Sequence, residues 1–584
     1  MVVLAKSAAL LLAILGYAML WQRRKLPVCF FPITAVSGET LVVYVTGMCG
    51  SLRIGWYLVI LSGMLLLLRF FSLEGLKRIC SDWSIVFCVV VGVIMYAATR
   101  GQMLYHWDDG SHWYRMCKAL YFDGHYPTTP DIVYYDYVPG TATWVYIVLK
   151  AVGFSIPNCL FAQNCINIAA IGAMFCLADQ TENRGKKAII SLIIVGTGLV
   201  QCTYAYGIYT LLVDLPLGLV IAAAMIMVLD WGEKKESTLP VMLVLTFLAI
   251  MKNSALFFIA AVCFMAVMMH RFPLRRAGVW LGMPLLAWGA YALRSAVVYS
   301  GAASPQGISA DRYAMLWNEK SAELIGRIAR NVLREIFGGM TNGTIAMYLC
   351  LAALLFTAVS FSMEGERAAA IRMCRSLAAC TGLILAYSGA LFLTYSFSMS
   401  SGEAEVLNSI DRYYGTAVVL LIGLTVYLGV REAARLYHAG TYLLSMFLVL
   451  ACSLPGQMPR AYVFNRNDYS RYEMLKTDLW WAIERIVPEN MRYTEEHYLV
   501  LWDQSDFMDG AFNIGRLDYV VGAWLRADQI SVISRDELVT LSEEELAHFR
   551  EYDHVIFLSD MNDEKELLEP YLDIDNYGIG FRSL

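Results

Sequence analysis

The amino-acid sequence predicts a polytopic α-helical membrane protein that carries a small α/β domain at its C-terminal end. Three observations lead there. Of 584 residues, 58% are hydrophobic and 16% charged, with a mean hydropathy of +0.52, so the chain holds more apolar surface than a soluble core can hide. Apolar runs of spanning or near-spanning length recur through residues 1–455. After Leu454-Pro455 charged residues become frequent and apolar runs shrink to strand length.

The runs fall at about 3–21, 33–50, 55–71, 84–99, 159–178, 188–204, 211–229, 239–252, 254–270, 278–298, 344–362, 377–396, 413–431 and 439–454. That is roughly fourteen spans, give or take two, with about 12–14 expected by length and hydropathy. Lys and Arg crowd at Arg23-Arg24-Lys25, Arg69 with Lys77-Arg78, Arg184 with Lys186-Lys187, Lys234-Lys235, Arg271 with Arg275-Arg276, Arg367 to Arg375, and Arg431 with Arg435. Placing all of them in the cytoplasm closes the map when 239–252 and 254–270 are separate crossings. The N-terminus, the loop 100–158, the turn at 205–212, the loop 299–343, the segment 397–412 and everything after Leu454 then lie outside. The expected location is the cell membrane, multi-pass, with an extracytoplasmic C-terminal domain. The first run lacks a small-residue cleavage site before Arg23 and reads as an anchor.

Most of the fourteen cysteines lie in apolar runs, and no CxxC or Cys/His ligand spacing occurs, which disfavours a soft-metal site. Residues 456–584 alternate strand-like runs at 498–502, 530–533 and 554–558 with helix-like stretches at 468–487, 535–550 and 563–571. Without a Gly-rich phosphate loop or nucleophile elbow, this domain is expected to bind acceptor or to pack, not to catalyse. Nothing in the charge pattern points to nucleic acid.

The chemistry-bearing residues sit on the external segments. Asp108 and Asp109, in His106-Trp-Asp-Asp-Gly-Ser-His112-Trp-Tyr-Arg115, adjoin a span, where charge is costly unless it has a job. Residues 108–123 read as an amphipathic interfacial helix, Trp113, Met116, Leu120 and Tyr121 opposing Arg115, Lys118 and Asp123. Residues 134–143, with Tyr137, lead into an apolar stretch at 144–153 too short to span. Asp214, before Pro216, serves either a helix start or a site. Lys252 needs an anionic partner, which a salt bridge or a ligand phosphate supplies. Glu403, Asp411, Arg412 and Tyr413 cluster at the external mouth of a late span, where a solvated loop with Arg412 snorkelling is the plainer alternative.

Over residues 80–430 the order of these features resembles the membrane glycosyltransferases of GT-C architecture, such as protein O-mannosyltransferases and the aminoarabinose transferases of lipid A. Asp108-Asp109 and Tyr137-Val-Pro-Gly140 look like that group's first-loop acidic pair and Pro-rich step; Asp214, Lys252 and Arg412-Tyr413 look like its later motifs. The sequence departs in having Val138-Pro139 at the Pro-rich step and three spans before the one that leads to the acidic loop. The resemblance implies inverting transfer of a hexose or pentose from a polyprenyl-phosphate donor to a glycan, lipid or protein acceptor at the bilayer. Asp108, Asp109 and Asp214 would be catalytic; Lys252, Arg412 and Tyr413 would hold the donor phosphate; His112, Tyr137 and Glu403 would contact donor or acceptor. Carboxylates suit hard cations, so Asp108, Asp109 and Asp214 are also candidate ligands of a divalent ion, and no other cofactor is implied. Two other classes fit the composition: a transporter or flippase of lipid-linked glycans, with Asp214 and Lys252 as coupling charges, and a non-catalytic envelope scaffold.

Overall fold

A computed structural model describes residues 2–571 apart from 103, 105, 107, 130–131, 133, 271–273, 301–309, 340, 434–486, 488, 490, 504–516, 559–563 and 565–567. Short polar side chains start many of its helices. Ser51, Ser72, Asp82, Ser155, Asn183 and Thr341 each accept a bond from a backbone N–H of the turn they precede, satisfying donors that lipid cannot.

The chain opens with α1 (Val2–Arg23), α2 (Phe31–Met48), α3 (Leu52–Phe70), α4 (Leu73–Cys80) and α5 (Trp83–Ala98). A π turn at Asp109–Trp113 runs into α6 (Tyr114–Asp123), followed by α7 (Gly140–Val152), α8 (Ile156–Gly172), α9 (Arg184–Gln201) and α10 (Asp214–Trp231). Then come α11 (Thr238–Met251), α12 (Ala255–His270), α13 (Leu274–Val298), α14 (Ala310–Asn318), α15 (Ala322–Leu333), α16 (Asn342–Met363), α17 (Arg367–Phe397), α18 (Ser401–Glu405) and α19 (Ile410–Ala433). Among the described residues nine helices are long and apolar enough to cross a membrane, ten if α4 and α5, bent by 64°, form one broken span. This is a multi-pass helical membrane protein.

The span count differs from the expected fourteen for identifiable reasons. The run at 239–270 is broken at Lys252–Ser254 into two helices of 14 and 16 residues, and α9 gives its first turn to Arg184, Lys186 and Lys187. The run at 439–454 lies outside the described residues, as does nearly all of the expected helix at 468–487.

Charged side chains gather at both ends of α10. At one end of α10, Asp230 accepts from Gln180 (3.1 Å) while Arg431 donates to Leu229 O (2.9 Å), and Arg276 donates to the carbonyls of 232–234. At the other end, Asp214 opens the helix.

The C-terminal region holds β1 (Thr494–Trp502), α20 (Leu517–Trp524), β2 (Ala527–Ser534), α21 (Arg535–Leu538), α22 (Glu543–Ala547) and β3 (His554–Phe557). Its strands form a parallel sheet in the order β2-β1-β3, with Val500 opposite Val532 and Ile556. Leu499 and Leu501 enter a small local core with Val555, Phe557 and Phe549, whereas Tyr498, Val500 and Trp502 join the main core. Both faces are covered, which is why β1 reads as a continuous apolar run. The stretch at 535–550, expected as one helix, is interrupted: Ser534 and Ser542 each form a capping box, with Glu537 and Glu545, and a 3₁₀ turn follows.

The segment 108–123 is also corrected. It does not lie with its polar face in water: the π turn and most of α6 are buried, and α20 packs on both, covering the face that carries Arg115 and Lys118.

Candidate active site

Three helix termini and one helix break build the site. The acidic pair sits where the loop after α5 enters the π turn, and the two carboxylates have different surroundings. Asp109 is wholly buried. It accepts from Thr210 Oγ1 (2.9 Å), Leu211 N (2.8 Å) and His106 N (3.1 Å), fastening its turn to the loop before α10. Asp108 faces open space and pairs with Arg412, in the first turn of α19.

From Arg412 the charges alternate. Its Nε lies 3.5 Å from Asp214 Oδ2, at the start of α10. Asp214 Oδ1 accepts from Lys252 Nζ at 2.6 Å. Asp214 does not cap its own helix, whose N-cap is Val213. Lys252 has an extended backbone, φ −161° and ψ 145°, at the break between α11 and α12, and so reaches a partner 38 residues away. The Tyr413 ring lies under both cations, 4.9 Å from Lys252 Nζ and 5.0 Å from Arg412 Cζ, and its hydroxyl accepts from Arg412 Nη2 at 3.1 Å.

These groups line a cavity of about 30 Å³, walled on its other side by Trp113, Tyr134 and Tyr137. Tyr134 and Tyr137 stack at 5.1 Å. Asp108 also faces a second cavity of about 670 Å³, lined by His106, Tyr206, Arg334, Glu335 and Asp411 among others. One carboxylate thus borders both spaces. Three non-glycine residues on the larger wall, Tyr206, Leu407 and Ser409, have φ of 65°, 51° and 63°, strained backbone of the kind that collects at functional sites.

Burial alone would raise the Asp108 pKa, but the Arg412 guanidinium outweighs it and holds the carboxyl below its ordinary value. The Asp108 N–H donates to His106 Nδ1 at 3.1 Å, which makes that nitrogen an acceptor. His112 stands behind the aromatic wall, 5.4 Å from the Tyr137 ring, where burial pushes its pKa down to about 3.

Of the residues singled out from sequence, Asp108, Asp214, Lys252, Arg412, Tyr413 and Tyr137 meet at the small cavity. Asp109 lies one residue away with its oxygens committed to its turn. Glu403 does not reach either cavity; it closes the capping box of α18 with Ser400. Sequence reasoning missed Tyr206, Arg334 and Glu335. Backbone strain and a wall contributed by α15 and the π turn that follows it at Arg334–Gly338 leave no local sequence signal. Among the described residues no three His, Cys, Asp or Glu side chains are grouped to hold a metal ion.

No family model matches the chain, and no curated protein does. A search of solved structures returned one in which an oligosaccharyltransferase of Archaeoglobus fulgidus is complexed with Zn and sulfate. The chain is similar to that archaeal oligosaccharyltransferase. The match covers 88% of this chain and 58% of the other, with 11% identity and a TM-score of 0.21. The chain therefore spans under two thirds of the archaeal protein's length, and so loose a superposition carries no argument about the site.

Proposed function

We propose that the protein is a membrane glycosyltransferase that moves a sugar from a polyprenyl-phosphate donor to a hydroxyl of a glycan, lipid or protein acceptor on the external face. One observation carries this reading. The alternating chain Asp108–Arg412–Asp214–Lys252 lines a small cavity, and its terminal carboxylate also borders a larger polar one. Asp108 takes the proton of an acceptor hydroxyl that enters from the larger cavity. The acceptor oxygen bonds to the anomeric carbon from the face opposite the leaving group, inverting it. The bond to the donor phosphate breaks, and the polyprenyl phosphate leaves with the electron pair, held by Lys252 and Arg412. As the phosphate draws Arg412 toward itself, Asp108 loses its nearest cation and becomes a stronger base when donor is bound.

In this reading no step passes through a metal ion. The Arg412 guanidinium lies between Asp108 and Asp214, where a bridging ion would sit, and Asp109 spends its oxygens on the 210–211 turn. The described residues at the site, so paired, do not fit a resident divalent cation. A flippase would ask for charges spread along a path through the bundle, whereas these four gather at one end, each at a helix terminus or break.

The test uses membranes supplied with a polyprenyl-phosphate sugar. Lys252→Ala or Arg412→Ala raises the donor concentration needed by about ten- to a hundredfold, the range of a charged hydrogen bond, and alters the acceptor requirement less. Arg412→Lys recovers part of the loss, because the charge returns without the planar fork. A shift in the acceptor requirement alone overturns the assignment.

A further inference from the structure

The C-terminal domain grips the segment that carries Asp108. Lys118 has no exposed side-chain surface; its Nζ donates to Ala523 O (3.3 Å) and Trp524 O (2.9 Å) at the end of α20 and pairs with Glu489 at 3.1 Å. Arg526, 1% exposed, holds Asp123 in a two-pronged bond, Nη1 to Oδ1 at 3.1 Å and Nη2 to Oδ2 at 2.9 Å. Between these points lies Arg115. Its Nε donates to Gly110 O at 3.1 Å, inside the π turn, and its guanidinium fills the space beside Gly522. A Cβ on Gly522 would stand 1.4 Å from Arg115 Nη2.

Buried cations are retained where close partners offset their desolvation, and removing one partner is strongly destabilising. Here three such cations sit on α6, or on the domain that covers it. The turn they flank is of π type, a form frequent at functional sites. Its Gly110 lies two residues from Asp108.

We propose that the C-terminal domain positions the candidate base: Arg115, Lys118 and Arg526 are positioning residues through which α20 and the start of β2 fix the π turn that presents Asp108. Arg115 transmits the contact, because one side chain touches both the Gly110 carbonyl and the Gly522 backbone. Undocking the domain would free the turn without removing any residue of the site. The structural part of this proposal stands independently; its consequence for turnover rests on the glycosyltransferase reading.

The test is amide hydrogen exchange in the full-length protein in detergent, comparing wild type, Arg526→Asp, the exchange pair Asp123→Arg with Arg526→Asp, and Gly522→Ala. The expected result is exchange in 109–118 faster by about tenfold or more in Arg526→Asp and Gly522→Ala, with α10 still protected. The exchange pair restores protection toward wild type. Unchanged exchange in 109–118 in both single variants overturns the proposal. If Arg526→Asp exposes α10 as well, Gly522→Ala decides, since one added methyl only displaces the Arg115 tip. In cells, the glycan product lost in Asp108→Asn should fall in step with the lost protection; a full product level beside a deprotected turn also overturns the positioning role. If wild-type cells make no such product, the glycosyltransferase reading fails while the exchange result keeps its meaning.

Discussion

Asp108 and Asp109 are the same residue in adjacent positions, and their surroundings give them different work. Asp109 collects three donors inside the protein, whereas Asp108 borders both cavities. Asp109→Asn should therefore act on stability, lowering it by about 1–3 kcal/mol through unsatisfied buried groups, as read by thermal unfolding in detergent. An unchanged melting temperature with abolished transfer would exchange the two roles. The pair was legible in the sequence as a candidate reaction site at a membrane boundary. Its division of labour was not, because two of the three donors to Asp109 lie 101 and 102 residues away. His112 was legible as a candidate contact, and its burial behind Tyr137 was not. It also carries a pH signature. Its pKa falls from 6.5 to about 3 on folding, so between those values the unfolded chain binds more protons. The neutral His112 thus supports the fold fully above pH 6.5, and stability drops by about 1.4 kcal/mol per pH unit as pH falls below it. His112→Phe cannot titrate and should flatten that part of the unfolding profile; an unaltered slope would mean that His112 is not held neutral.

At the scale of helices, close approach sets the alignment of the charges. Small residues let membrane helices meet backbone to backbone, and α10 meets α19 at Gly218, where a Cβ would stand 2.8 Å from Thr416 O and 2.9 Å from Val419 Cβ. Each lies four residues along its helix from a member of the network, since Asp214 precedes Gly218 and Arg412 precedes Thr416. Gly218→Ala should part the two helices locally and shift Asp214 against Arg412 without removing a charge. Misplacement of about 1 Å can cost on the order of a hundredfold in rate, so turnover in membranes should fall while the protein still accumulates. Wild-type turnover in this variant would show that the α10–α19 distance does not set the site. The helices themselves were readable from apolar runs and polar caps. Their partners were not: Lys252 reads as a lone buried cation until the break after α11 turns it toward Asp214.

For the whole molecule, the basic clusters assign sides to the loops only as an expectation, and the structure adds which groups meet at each end of α10. Arg276 and Arg431 bind carbonyls at one end of α10, and the acidic and cationic site residues meet at the other. The contact of Arg526 with Asp123 sets the start of β2 against the end of α6. What composition could not convey was that this domain covers the polar face of α6. An amphipathic stripe is the same sequence pattern whether a protein domain or water lies against it.

The central claim is that Asp108 accepts the proton of an acceptor hydroxyl during sugar transfer, and mass spectrometry of cell-envelope glycans tests it most directly. Cells lacking the protein, cells with wild type and cells with Asp108→Asn at equal membrane abundance are compared. The account predicts a glycan species extended by a sugar in wild type and reduced about a hundredfold or more in Asp108→Asn, the usual contribution of a positioned base, to near the level of cells without the protein. An identical glycan profile in all three, or an undiminished product with Asp108→Asn, would contradict it.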